Sequence, residues 1–208
     1  FRKTYCPNAK HVFQLGNIGW HVPDGVKNLL NSTALEPPKR MHHVCYHQEF
    51  DIKEFGFVPC PNPRSLANLM HFQQHHYGRE FNSLKEKLVE RGWEVKDYGA
   101  GNTDGPVDNI AEVIQRFGWI WHAKKSGDGY GHNIHNSMAC GRPMVVPMSR
   151  IEGTISEMLL IPGVTTIDLE ERPIDRLAEE LEIASCNHKQ WCLYSHLRFL
   201  REVDFDQE

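Results

Sequence analysis

Several things are missing from this sequence, and each absence closes off a class of protein. No run of about 18 apolar residues occurs, so no transmembrane helix is expected. The basic surplus of a nucleic-acid binder is absent: the formal charge is −4, and no nucleic-acid partner is expected. The six cysteines (Cys6, Cys45, Cys60, Cys140, Cys186, Cys192) include no C-x-x-C pair, and 208 residues can build a core without disulfide staples. A reduced, cytoplasmic setting follows, with peripheral attachment to a membrane left open. The chain begins with Phe1 and shows no charged-then-apolar leader, which reads as a fragment with sequence missing upstream.

What is present is an ordinary globular composition, 40% apolar with 10% aromatic residues, and no segment of disordered character. Thirteen histidines make the net charge sensitive to pH just below neutrality.

Residues 1–63 are broken repeatedly by Pro23, Pro37, Pro38, Pro59, Pro61 and Pro63, so long helices are not expected there. Residues 12–15, 26–30 and 41–50 carry short apolar or alternating patches, and residues 59–63 read as a linker. The region is expected to be a short irregular remnant of an upstream domain. A clearer pattern then begins. Residues 66–72 read as a strand, and residues 79–91 as an amphipathic helix with Phe81, Leu84 and Leu88 inward and a stop at Gly92. Residues 93–98 read as a strand. A helix is expected from Pro106, with Val107, Ile110, Ala111, Ile114 and Phe117 on one face. Further on, Ile151, Ile155, Met158 and Leu159 suggest a helix and residues 164–169 a strand. Ile174, Leu177, Ala178 and Leu181 suggest another helix. A last one runs over about 188–202, with Trp191, Tyr194, Leu197 and Leu200 inward. Short strands alternating with helices predict a Rossmann-like parallel sheet with helices on both faces, whose ligand lies at the carboxyl ends of the strands. The predicted organisation is residues 1–63 as remnant and linker, 64–185 as the Rossmann-like domain, and 186–208 as a terminal helix.

Residues 118–147 carry the chemistry. A buried strand (Trp119, Ile120, Trp121) opens into Lys124-Lys125-Ser126-Gly127-Asp128-Gly129-Tyr130-Gly131, then a helical segment that stops at Gly141, then a strand from Met144. Glycines let the backbone approach a ligand, the helix N-terminus offers unpaired N–H groups, and the lysines can neutralise phosphate. The same residues also suit a plain glycine-rich turn with two solvated lysines. Neither G-x-G-x-x-G nor a G-K-[ST] phosphate loop is present.

The run from Asp128 to Pro143, DGYGHNIHNSMACGRP, resembles the signature of glycosyltransferases of the two-Rossmann-domain GT-B class (group 1 type), where E-G-F-G is followed by three variable residues and L-E-A-M-A-C-G-x-P. The resemblance covers roughly residues 65–183 and implies the donor-binding C-terminal domain. It implies a nucleotide-sugar donor, a hexosyl transfer to an unidentified glycan, lipid or protein acceptor, and no cofactor or metal. Asp128 falls on the first acid of the E-x7-E pair, a contact to the donor sugar, and Asn136 on the second, a contact to the ribose. Gly129, Tyr130 and Gly131 would lie beside the diphosphate, and His132 and Asn133 are counted with them among the donor-binding residues. Asn in place of the second Glu loses a charge, His132 and His135 replace apolar or small residues, and the family's early Arg and Lys clamp has no match near residues 73–79, so Lys124 is expected to compensate. A nucleotide-sugar epimerase and a non-catalytic nucleotide-binding module are the alternatives.

Other candidates sit at strand ends. Tyr98, Gly99 and Gly101 lie where the family places the nucleotide base, against the reading of an ordinary turn. His122 and Glu152 are candidate base or sugar contacts, and His75-His76-Tyr77 could reach the donor or form an exposed loop. His42, His43, Cys45, His47 and Glu49 resemble a metal cluster, but ligands so close along one strand rarely complete a tetrahedron, and no metal is expected. Cys140 reads as core packing and not as a nucleophile.

Overall fold

The apolar runs sort into two parallel sheets. The computed structural model describes residues 12–15, 22–31, 41–45, 51–128 and 130–203. In the region expected to be irregular, three short strands pair in parallel in sequence order: β1 (Phe13–Leu15), β2 (Asn28–Asn31) and β3 (His42–Cys45). Their few apolar anchors, Leu15 and Leu29, are buried.

The main unit follows as β4 (Asn62–Asn68), α1 (Gly78–Glu90), β5 (Glu94–Asp97), α2 (Ile110–Arg116), β6 (Phe117–Trp121), α3 (His132–Ala139), β7 (Met144–Val146), β8 (Thr166–Asp168), α4 (Ile174–Cys186) and α5 (His188–Glu202). Its five strands are parallel in the order β5-β4-β6-β7-β8. Alternation along the strands sends Leu66, Trp119, Trp121 and Val145 to one face, where Phe81, Leu84 and Leu88 of α1 and Leu177 and Leu181 of α4 cover them. Ala67, Ile120, Met144 and Val146 point to the other face, against Ile114 of α2, Ile134 and Met138 of α3 and Phe199 of α5. Both faces are covered, which is why β6 reads as a continuous apolar run instead of an alternating one.

The structure corrects four local expectations. The strand expected at 66–72 is Asn62–Asn68, because the chain turns at Phe72 in a left-handed conformation. The helix expected from Pro106 starts at Ile110, where the Asn109 side chain accepts from the Glu112 N–H, and Phe117 opens β6 instead of closing the helix. Residues 148–150 and 155–159 form two 3-10 turns in place of one α-helix. In α5 the buried face is His188, Cys192, Ser195 and Phe199, while Tyr194, Leu197 and Leu200 are exposed and Trp191 packs at the margin.

Residues 54–58 are tied to this unit. Gln115 Nε2 donates to the Glu54 carbonyl, and the Phe57 ring lies where a side chain on Gly141 would go. His188 closes the amino end of the sheet by donating from Nε2 to the Gly118 carbonyl at 2.8 Å. Burial pushes its pKa below the ordinary histidine range; the carbonyl bond opposes that and the Arg142 charge adds to it. A histidine kept neutral in the fold contributes stability that is complete above its unfolded pKa of about 6.5 and is lost as pH falls through the lower folded value. Urea midpoints are therefore expected to drop between about pH 7 and pH 5, with a shallower slope for His188→Gln. Identical slopes would show that another group carries the effect.

Candidate functional site

The crevice is set by topology. From β4 the chain moves to β5 on one side and then to β6 on the other, so the order reverses between the carboxyl ends of β4 and β6. Open parallel sheets bind ligands at such a point. The loop after β4 and the loop after β6 meet there: the Lys125 N–H points to His76 Nδ1 at 3.4 Å.

His122 follows β6 directly and is 2% exposed. Its backbone N–H continues the ladder to the Val145 carbonyl at 2.9 Å. Asp128 stands between two nitrogen-bearing side chains, with Lys124 Nζ 3.4 Å from Oδ1 and His122 Nε2 3.5 Å from Oδ2. Burial pushes the Asp128 carboxyl up, but the neighbouring His122 ring and then Lys124 outweigh it and hold the group below the usual carboxylate range. His76 is held below its ordinary value by burial first and then by the charge of Lys124.

Gly131 ends the loop as the N-cap of α3 with φ +70°, a conformation that disfavours any side chain. Being glycine, the N-cap residue offers no side-chain cap, and no acid occupies the first turn, so the positive end of the dipole is not neutralised from within the helix. Tyr130 is buried, its ring stacked on His135 with centroids 4.1 Å apart, and its carbonyl accepts from Ser156 Oγ. His132 stands at the first position of α3, where neighbouring atoms partly desolvate the ring and outweigh the Asp128 charge to lower its pKa. Asn133 is half-buried. Gly129 lies outside the described residues.

The expected site residues do not all converge. His122, Lys124 and Asp128 form one cluster. Asn136 and His132 line a separate hollow of about 440 Å³ with Asp51, Lys53, Glu54 and Phe55. Tyr98 packs edge-on against Phe117 beneath the crevice. Gly99 and Gly101 allow close approach: a side chain on Gly99 would meet the Met70 carbonyl, and one on Gly101 the Phe72 ring. Gly101, and not Gly99, borders a polar hollow of about 360 Å³ lined by Gln73, Asn82, Asp97, Asn102 and Thr103. Glu152 is exposed in the turn after β7.

Two features escaped the sequence reading. Tyr77 donates to Glu170 at 3.0 Å and lies 3.4 Å from Arg150 Nε, bridging the loops after β4, β7 and β8. Phe72 holds a positive φ of 52° while remaining half exposed. Nothing in residue type announces either, since phenylalanine disfavours that conformation. Cys140 behaves as core: burial pushes its thiol up to about 12.

No protein-family model and no curated relative matches the chain. The fold is a Rossmann-like parallel α/β unit, and solved structures with the same fold are GT-B glycosyltransferases. HepE of Anabaena in complex with UDP superposes with a TM-score of 0.57 at 11% identity, over 85% of this chain and 58% of that one. A glycosyltransferase from Rickettsia africae ESF-5 gives 0.68 at 11% identity, over 94% of this chain and 66% of the other. The pneumococcal O-GlcNAc transferase GtfA, solved with UDP and GlcNAc, gives 0.57 at 12% identity, over 86% and 42%. The chain thus spans less than two thirds of each. Among the described residues, no helix is long and apolar enough to cross a membrane.

Proposed function

We propose that this chain supplies the donor-binding half of a glycosyltransferase that takes its sugar from a nucleoside-diphosphate donor, UDP-sugars first among them. The observation that carries the reading is the Lys124–Asp128–His122 cluster, placed before the uncapped N-terminus of α3 at the switch point between β4 and β6. The fold is shared with structures solved with UDP and, for HepE, UDP-glucose.

In this reading the diphosphate lies against the start of α3, where N–H groups and the helix dipole favour negative charge, and Lys124 adds a mobile cation. The glycosidic bond to the leaving phosphate breaks as negative charge builds on the nucleotide, so the same groups stabilise the transition state more than the ground state. Asp128 turns toward the sugar hydroxyls, and Asn136 is left to the ribose side.

Isothermal titration of the purified chain with UDP and UDP-glucose tests the reading. Binding tighter than about 1 mM is expected, weakened at least about tenfold for UDP-glucose in a Lys124→Ala, Asp128→Ala double variant. No binding of UDP, GDP or ADP at that level would rule out a donor site. Product analysis with donor sugar present then separates transfer or hydrolysis from epimerisation.

A further inference from the structure

The buried histidine beside the crevice has an unusual setting. A histidine inside a core ordinarily finds a carbonyl or hydroxyl for its ring nitrogens, because an unpaired buried polar atom is costly. His188 does so through the Gly118 carbonyl. His122, equally enclosed, has no hydrogen-bond partner for Nδ1 or Nε2 among the described residues. Asp128 Oδ2 lies 3.5 Å from Nε2, at the outer limit of a contact.

The two partners differ in rigidity. His122 is fixed to the sheet: its N–H is bonded to Val145 between fully buried Trp121 and Ala123. Asp128 sits six residues further on, in the loop ahead of Gly131, with its other oxygen held by the long Lys124 side chain. A loop carboxylate gains a defined direction only from a rigid neighbour, and the imidazole is that neighbour. With the proton on Nε2, a small turn of the Asp128 carboxylate would bring Oδ2 within hydrogen-bond reach of the ring and leave Oδ1 to Lys124.

Resting on the donor-site reading above, we propose that His122 is a positioning residue that orients the Asp128 carboxylate toward the donor sugar, so that its contribution falls on recognition of the sugar and not of the nucleotide. Lys124 serves the diphosphate; His122 acts only through Asp128. The pair therefore sets how much tighter a nucleotide sugar binds than the bare nucleotide.

Two polar replacements separate this from a structural role. Glutamine can place an amide N–H near the position of Nε2, whereas asparagine is too short to reach Asp128. His122→Asn is expected to weaken UDP-glucose binding about tenfold while UDP stays within about twofold, and His122→Gln to recover most of the loss. In an Asp128→Asn background, His122→Asn is expected to cost nothing further. Thermal melts accompany each variant. Equal weakening of UDP and UDP-glucose by His122→Asn, no recovery by glutamine, or a loss that adds to that of Asp128→Asn would overturn the proposal while leaving the donor site standing. Failure of the unaltered chain to bind either ligand would instead remove the donor site, and this role of His122 with it.

Discussion

Arg142→Leu is expected to destabilise the chain by about 3–5 kcal/mol through the buried carbonyls it leaves unpaired, enough to unfold a marginal domain. The side chain is fully buried, and its guanidinium donates to the carbonyls of Val58, Ile114, Gln115, Cys140 and Gly141. Those of Ile114 and Gln115 belong to the last turn of α2, and those of Cys140 and Gly141 follow the end of α3, where helical carbonyls lack partners of their own. One cation thus closes two helix ends and fastens the segment entering β4. Leucine fills much of the volume but leaves these acceptors buried and unpaired. Arg142→Lys is expected to recover little, since a single ammonium cannot span carbonyls that a planar fork reaches in several directions. Chemical denaturation of both variants checks this; a loss below about 1 kcal/mol for leucine would mean that water replaces the guanidinium.

Gly131→Ala is the second large effect, and it strikes the crevice. At φ +70° an alanine is strained by about 1–2 kcal/mol, and its Cβ would stand 2.5 Å from Ser156 Oγ and 3.0 Å from Ile134 Cδ1. Ser156 cannot swing away freely, because its hydroxyl is bonded to the Tyr130 carbonyl. The start of α3 has to shift, and nucleotide binding is expected to fall at least about tenfold. Gly163→Ala is the control: φ is +77° with nothing within 4 Å, so the backbone strain is similar without the clash. The control is expected to lose stability and keep its affinity. Equal affinity in the two variants would show that the start of α3 does not hold the ligand.

The alternation of strands and helices was legible because burial on both faces of a parallel sheet leaves long apolar strands and amphipathic helices. Phe81, Leu84 and Leu88 on α1 and Leu177, Ala178 and Leu181 on α4 mark their buried faces directly. α5 was harder. Trp191, Leu193, Tyr194, Leu197, Phe199 and Leu200 support more than one apolar stripe, and tertiary contacts choose among them. His188 binds Gly118 and Phe199 enters the core, which turns Leu193, Leu197 and Leu200 outward. At the crevice, the glycines and Asp128 stand out by residue type and spacing. The approach of His122 to Asp128 does not, since it depends on how the loop folds back over the strand end. Asn136 is eight positions from Asp128 in sequence, yet it lines a different hollow, with residues 51–55.

The strand order has a consequence for how this chain assembles. β4 is the innermost early strand, and its second partner, β6, is made more than about fifty positions later, Leu66 opposite Trp119. No hairpin joins neighbours in this sheet, so every ladder waits on the closing of a crossover, and each closure costs chain entropy before its contacts form. Until β6 arrives, one edge of β4 is an unpaired template and the tryptophans of β6 have no face to cover. A ribosome delivering the chain would release β4, α1 and β5 first, and this half-sheet would depend on what shields its open edge until Phe117–Trp121 emerges.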